Sequence, residues 1–198
     1  MTENPCIFIV EDHPLMREGL ASYFKRTGRW QITGIAASLE EAKKYLPDLK
    51  TDIVLLDIQL EDGWWLDLVP LIKQSKPPTI AVYSAYDDYA HVRIALGLGA
   101  RVYVCKRRNE KELEKALLEA LGGKICIDSS VQERLNTAAN LFSLLTRRES
   151  EIVNLVKDGL SNREIAAHLG ISHRTVENIL SCIYDKTGIK SRLELERL

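Results

Sequence analysis

The sequence predicts a doubly wound α/β domain, a five-stranded parallel sheet with helices on both faces, followed by a smaller all-α domain. Three observations predict it. Over residues 5–121, short runs rich in Ile and Val alternate with longer amphipathic stretches. Three of those runs are almost continuously apolar, as strands covered on both faces must be. From Leu144 the pattern changes to short helices with capping residues at their starts and glycines at their ends.

The strand candidates are Cys6–Val10, Gln31–Ala36, Asp52–Leu56, Thr79–Tyr83 and Arg101–Cys105. Between them, apolar residues recur at helical spacing. Leu15, Leu20, Tyr23 and Phe24 make one stripe, Leu39, Ala42 and Leu46 another, and Leu113, Ala116, Leu117, Ala120 and Leu121 the last. Strict alternation of the two periods implies parallel strands joined by helical crossovers. Gly122-Gly123 closes the fifth helix, so the first domain is placed at residues 1–122. Residues 123–143, with Asp128-Ser-Ser, Asn136 and Asn140 in a weaker pattern, read as a linker with a helical stretch around 129–142.

The second domain is placed at 144–198. Thr146 with Glu149, and Ser161 with Glu164, have capping-box spacing. Gly159 and Gly170 follow as stops. Ser172 opens a third helix with Val176, Ile179, Leu180 and Ile183 inward, ending near Gly188, and a short fourth starts near Ser191. Residues 162–180 thus read as helix, tight glycine turn, helix.

The 198 residues suit one large domain or two small ones at about 150 residues per domain. No apolar run approaches the ~20 residues of a membrane-spanning helix. The start, Met1-Thr-Glu-Asn-Pro, lacks a basic segment leading into an apolar one. The four cysteines, at 6, 105, 126 and 182, form no CxxC and have no histidine at zinc spacing. They read as small hydrophobes in a reducing compartment, which makes the expected location cytoplasmic.

Chemistry gathers at the carboxyl ends of the strands. Glu11 and Asp12 follow the first strand, Asp57 the third, Ser84 closes the fourth, and Lys106 follows the fifth. In strand order 2-1-3-4-5, a flavodoxin-like arrangement, the first and third strands are neighbours and the three carboxylates converge at the edge where such sheets bind ligands. Carboxylates so placed repel unless a cation joins them. All-oxygen ligands suit Mg²⁺. Asp57 could then act as nucleophile toward a phosphoryl group, with Lys106 and Ser84 on the phosphoryl oxygens. Trp64-Trp65, after the turn-like Asp62-Gly63, read as packing at a helix start, His13 as a solvated helix-start residue, and Asp87-Asp88 as a solvated helix start.

On these residues the first domain resembles a receiver domain of a two-component response regulator. The resemblance implies an acidic pair at Glu11 and Asp12, a phospho-acceptor at Asp57, metal binding by all three, and a phosphoryl-sensing set of Ser84, Tyr103 and Lys106. Tyr103 enters only through the resemblance, as the aromatic switch position. Arg107 stands where many receivers have a proline with a cis peptide.

In the second domain, the helix from Ser172 sets His173, Arg174, Glu177, Asn178 and Ser181 opposite its apolar stripe. A helix of this kind lies in the major groove with its N-terminal residues at base edges. Asn178 can pair with adenine and Glu177 can accept from cytosine. Arg163, Arg174, Lys186, Lys190 and Arg192 are candidates for phosphate contacts, and Thr175 for phosphate or a thymine methyl. Glu149 and Glu164 read as capping residues. The stretches Leu145–Val153, Gly159–Ser172, Arg174–Asn178 and Ile183–Arg192 resemble a LuxR-type helix-turn-helix domain, although many relatives carry lysine where Glu177 stands. The two domains together resemble the NarL/FixJ class.

That resemblance implies a DNA-binding transcriptional regulator. A sensor histidine kinase phosphorylates Asp57 with Mg²⁺, and phosphorylation controls homodimerisation and binding to double-stranded promoter DNA. The chain is then no turnover enzyme, although the phosphoryl group is lost slowly to water. Phosphatases of similar topology place a second Asp two residues after the nucleophile, where this chain has Gln59. A further alternative is DNA binding without phosphorylation, switched by a protein partner. Charge sharpens the picture. Residues 143–198 carry net +1 and the rest net −2. DNA affinity must therefore rest on local placement of cations and on pairing two copies.

Overall fold

The computed structural model describes residues 4–72 and 77–196. The chain divides into two compact units, one running to Asp87 and resuming at His91–Ser129, the other comprising Asp88–Ala90 with residues from Ser130 on. Each is described by itself.

The first unit is a parallel sheet of β1 (Cys6–Val10), β2 (Gln31–Ala36), β3 (Ile53–Leu56), β6 (Thr79–Ser84), β7 (Ala100–Cys105) and β8 (Cys126–Ile127), in the order β2-β1-β3-β6-β7-β8. Two short strands, β4 (Gln59–Leu60) and β5 (Gly63–Trp64), form a separate antiparallel pair. The first five sheet strands reproduce the expected 2-1-3-4-5 order. The expectation of five strands is corrected to six: Cys126–Ile127 pairs parallel with β7, Val102 opposite Cys126 and Tyr103 opposite Ile127. Two residues carry no readable period, so the strand is hidden in a segment read as linker. The expected helix after it runs Ser129–Ser143 (α6).

Side-chain alternation divides the sheet's faces. Ile7, Ile9, Ile53, Leu55, Ala81 and Val102 pack with Leu20, Tyr23 and Phe24 of α1 (Pro14–Thr27) and Leu113, Leu117 and Ala120 of α5 (Glu110–Leu121). Phe8, Val10, Val54 and Leu56 are equally buried on the alternate positions, as are Leu39 and Ala42 of α2 (Leu39–Tyr45), Val69 and Ile72 of α3 (Val69–Ile72) and Val92 of α4 (Tyr89–Gly97). Gly34 is required in β2, because a Cβ there would lie 2.8 Å from the Phe8 ring. Beside the α5 stripe, Glu114 is buried with the hydroxyl of Tyr23 and the indole N–H of Trp30 each donating to it at 3.0 Å. Two donors satisfy a carboxylate that would otherwise be costly to bury.

The second unit has α7 (Arg147–Lys157), α8 (Asn162–Leu169), α9 (His173–Thr187) and α10 (Arg192–Glu196) around a core of Ile152, Val153, Val156, Ile165, Val176, Leu180, Ile183 and Leu195. Both expected capping boxes, Thr146/Glu149 and Ser161/Glu164, are made in full. Gly170, at φ 64°, ends α8 in the left-handed conformation that lets the chain turn sharply into α9.

Candidate functional site: an acidic pocket and a helix-turn-helix

The sheet order places the ends of β1 and β3 side by side, with Val10 opposite Leu56. The next residues, Glu11 and Asp57, are therefore neighbours, and Asp57 N donates to Val10 O at 3.0 Å. Both carboxylates are buried. The Lys106 ammonium, arriving from the end of β7, donates to Glu11 Oε1 at 2.8 Å and to Asp57 Oδ2 at 2.6 Å. Burial raises the Glu11 pKa, and Lys106 offsets part of that rise. Burial also pulls on Lys106, but its bonds to Asp57 and Glu11 outweigh that and hold its pKa above the ordinary lysine value.

Asp12 turns its carboxylate to the same place. One oxygen accepts from Glu61 N at 2.8 Å and the other lies 2.7 Å from His13 Nδ1. Carboxylate oxygens of Glu11, Asp12 and Asp57 and a ring nitrogen of His13 all fall within 4.8 Å of one another. Three hard oxygen donors this close fit a divalent cation that keeps some of its water. His13, expected to be a solvated helix-start residue, is 70% exposed and sits at the N-cap of α1. A residue that sequence reasoning missed is Arg17, whose Nη1 donates to the carbonyls of Glu11 at 2.9 Å and Asp12 at 2.8 Å. It pins the acidic loop from one turn into α1. Its only sequence signal is a cation following the acidic pair.

Asp12, Asp57, Gln59, Ala85, Tyr86 and Lys106 line one cavity of about 600 Å³. Ser84 closes β6 and is fully buried, its hydroxyl oxygen accepting from Tyr86 N at 3.1 Å. Tyr103 is also fully buried and points inward, its hydroxyl donating to Tyr86 O at 2.8 Å. Trp65 packs in the interior as expected, whereas Trp64 is 45% exposed and stacks on His91. Asp87, expected at a solvated helix start, is engaged by Arg107. No cis peptide occurs among the described residues.

In the second unit, Arg163, His173, Arg174, Thr175, Glu177, Asn178, Ser181 and Lys190 are all exposed. Those of α9 share the side opposite Val176, Leu180 and Ile183. Two of the cations expected there are engaged within the unit. Lys186 Nζ donates to both oxygens of Glu149, at 2.7 and 2.8 Å. The Arg192 guanidinium reaches Leu160 O, Asn162 Oδ1 at 2.9 Å and Glu196 Oε1 at 2.9 Å. Both lysine and arginine thus fasten the helix pairs that carry the exposed face. The Lys186 contact and the Thr146 amide hold the Glu149 pKa down to about 2.

Comparison with known proteins agrees with both halves. The family model of the response regulator receiver domain matches residues 7–118, and that of bacterial regulatory proteins of the luxR family matches 143–198. The response regulator protein VraR of Staphylococcus aureus is 28% identical over 193 residues, covering 95% of this chain and 92% of that protein. Among solved structures, RcsB from Salmonella enterica serovar Typhimurium, bound to a promoter in the presence of the phosphomimetic BeF3−, is similar at a TM-score of 0.74 and 24% identity, covering 98% of this chain and 97% of that one. The response regulator ChrA of a heme-sensing two-component system is similar at a TM-score of 0.54 and 26% identity, covering 98% of this chain and 94% of that one.

Proposed function

The chain belongs to the response regulators, a receiver domain joined to a luxR-family regulatory domain, and from that premise we propose that it is a transcription regulator switched by phosphorylation of Asp57. The observation that carries the reading is the convergence at the strand ends of Asp12, Asp57 and Lys106 on one cavity, with Glu11 bonded to Lys106 and clustered with the two aspartates. Glu11, Asp12 and Asp57 would hold Mg²⁺. Bound there, the ion neutralises the carboxylates and an incoming phosphoryl group.

This chain's own residues do the rest. A sensor histidine kinase is the donor; the Asp57 oxygen attacks phosphorus and the kinase's imidazole leaves. Asp57 serves as an acceptor and not as part of a turnover enzyme. Lys106, which satisfies Asp57 before the reaction, transfers its attraction to the phosphoryl oxygens, and Ser84 can donate its hydroxyl to them. Because Tyr86 is bonded to both Ser84 and Tyr103, movement of Ser84 toward the phosphoryl group disturbs Tyr103. That disturbance biases homodimerisation. Two paired copies then present α9 to two half-sites of double-stranded DNA, which places the protein's work in the cytoplasm.

Incubation with acetyl phosphate and Mg²⁺ tests the acceptor. Wild type should gain one acid-stable, base-labile phosphoryl group and Asp57→Asn none; equal incorporation overturns the assignment. Promoter affinity that is the same with and without acetyl phosphate would favour regulation by a protein partner instead.

A further inference from the structure

Tyr86 carries four separate attachments. Its N–H donates to Ser84 Oγ and its carbonyl accepts from Tyr103. Its hydroxyl donates to the side-chain carbonyl of Gln59. Its ring stacks on His91 of α4 with centroids 4.5 Å apart and planes 27° apart. His91 in turn stacks on Trp64 at 5.5 Å and 7°. The run of side chains Gln59, Tyr86, His91 and Trp64 therefore straps the loop after β3 to the start of α4. Gln59 and Tyr86 are also walls of the cavity above Asp57, and Gln59 N points at Asp57 Oδ1 at 3.4 Å.

We propose that Trp64 and His91 are positioning residues that set the lifetime of the phosphorylated state. Neither lines the cavity above Asp57. By stacking on Tyr86 they hold its hydroxyl on Gln59, and the held pair narrows the approach of water to phosphorus. The reaction they restrain is hydrolysis of the acyl phosphate. Water adds to phosphorus, the P–O bond to the Asp57 oxygen breaks with its electron pair staying on the carboxylate, and both water protons leave with the product as dihydrogen phosphate. With the strap loose, Gln59 and Tyr86 sample more rotamers and water reaches the attacking position more often. An aromatic stack is a fitting restraint because it fixes ring position without filling the cavity.

The inference rests on Asp57 as acceptor, and the experiment separates the two. The full chain is phosphorylated with acetyl phosphate and Mg²⁺, the donor is removed, and decay is followed on phosphate-affinity gels. His91→Ala and Trp64→Ala should each decay about two- to tenfold faster than wild type, with the initial rate of incorporation and the melting midpoint little changed. His91→Phe and Trp64→Phe, which keep a ring, should decay like wild type. Adding His91→Ala to Tyr86→Ala should bring no further acceleration, since His91 acts through Tyr86. Should an alanine variant melt early, Trp64→Leu keeps the bulk without the ring and should still decay fast. Decay that is unchanged or slower in the ring-deleted variants, or additive in the double variant, overturns the strap. Absence of any phosphoryl group on wild-type Asp57 overturns the acceptor reading itself.

Discussion

Lys106 Nζ lies 2.6 Å from Asp57 Oδ2, with its side chain only 12% exposed. The same ammonium reaches Glu11, so one largely shielded cation sits between two buried carboxylates and offsets their mutual repulsion. Its raised pKa means that its contribution to stability is complete below the ordinary lysine value and is lost as pH rises through the folded one.

Removing that cation strands two buried carboxylates. Lys106→Met is expected to cost about 2–4 kcal/mol in metal-free buffer, because methionine fills the space without the charge. Mg²⁺ should return much of that loss by binding the same carboxylates. Urea unfolding with Mg²⁺ and with EDTA measures both terms. A variant as stable as wild type in EDTA would show that Lys106 is not the neutralising group.

Tyr103 is held by packing and by its bond to Tyr86 O. Tyr103→Phe keeps the ring and leaves that carbonyl without this donor, at a cost of about 1 kcal/mol. It should also weaken the route from Ser84 to Tyr103. Phosphorylated Tyr103→Phe is expected to accept phosphate at the wild-type rate and to dimerise less completely. Light scattering with and without acetyl phosphate gives the comparison.

Most of the acidic pocket was legible because a parallel sheet converts position into proximity: a polar residue directly after each strand must lie at one edge. Glu11, Asp12, Asp57 and Lys106 follow from that rule alone. Contacts made across layers follow no such rule. Glu114 stands outside the apolar stripe of its helix and carries no signal of burial, and only the fold brings Tyr23 and Trp30 onto it. Asp128 falls in the stretch read as a linker, yet Arg108 grips it with two bonds, at 2.6 and 2.8 Å, beside β8. Trp64 reads as packing at a helix start, and its stacking on His91 joins residues whose spacing carries no period. In the second unit, capping boxes and stripes were legible because they are local. The engagement of Lys186 and Arg192 was not, because a cation on an amphipathic helix looks the same whether it meets a phosphate or a carboxylate.

Base-reading and phosphate-binding residues separate by how their loss depends on sequence. Asn178→Ala is expected to cost about 1–3 kcal/mol on a specific site and little on unrelated DNA. Lys190→Ala should weaken both alike and reduce the slope of log affinity against log salt by about 1. Fluorescence anisotropy on a promoter fragment and a scrambled one, at several salt concentrations, tells them apart. If Asn178→Ala weakened the two equally, α9 would not be reading bases through that residue.

Glu149 lies at the start of α7 and takes both Lys186 from α9 and the Thr146 amide. Its pKa falls from 4.5 to about 2 in the folded chain. A depressed carboxylate contributes stability that is present above its unfolded pKa and lost as pH falls through the folded one. The packing of α7 on α9 should therefore loosen between about pH 4.5 and pH 2. Glu149→Gln can keep the capping geometry but cannot pair with Lys186, so it should be less stable at neutral pH and nearly insensitive over that window. Hydrogen-exchange protection of α7 and α9, compared between variant and wild type at each pH, isolates the effect from the acid response of the receiver unit. A wild type and variant that lose protection in parallel would assign the acid sensitivity to another group.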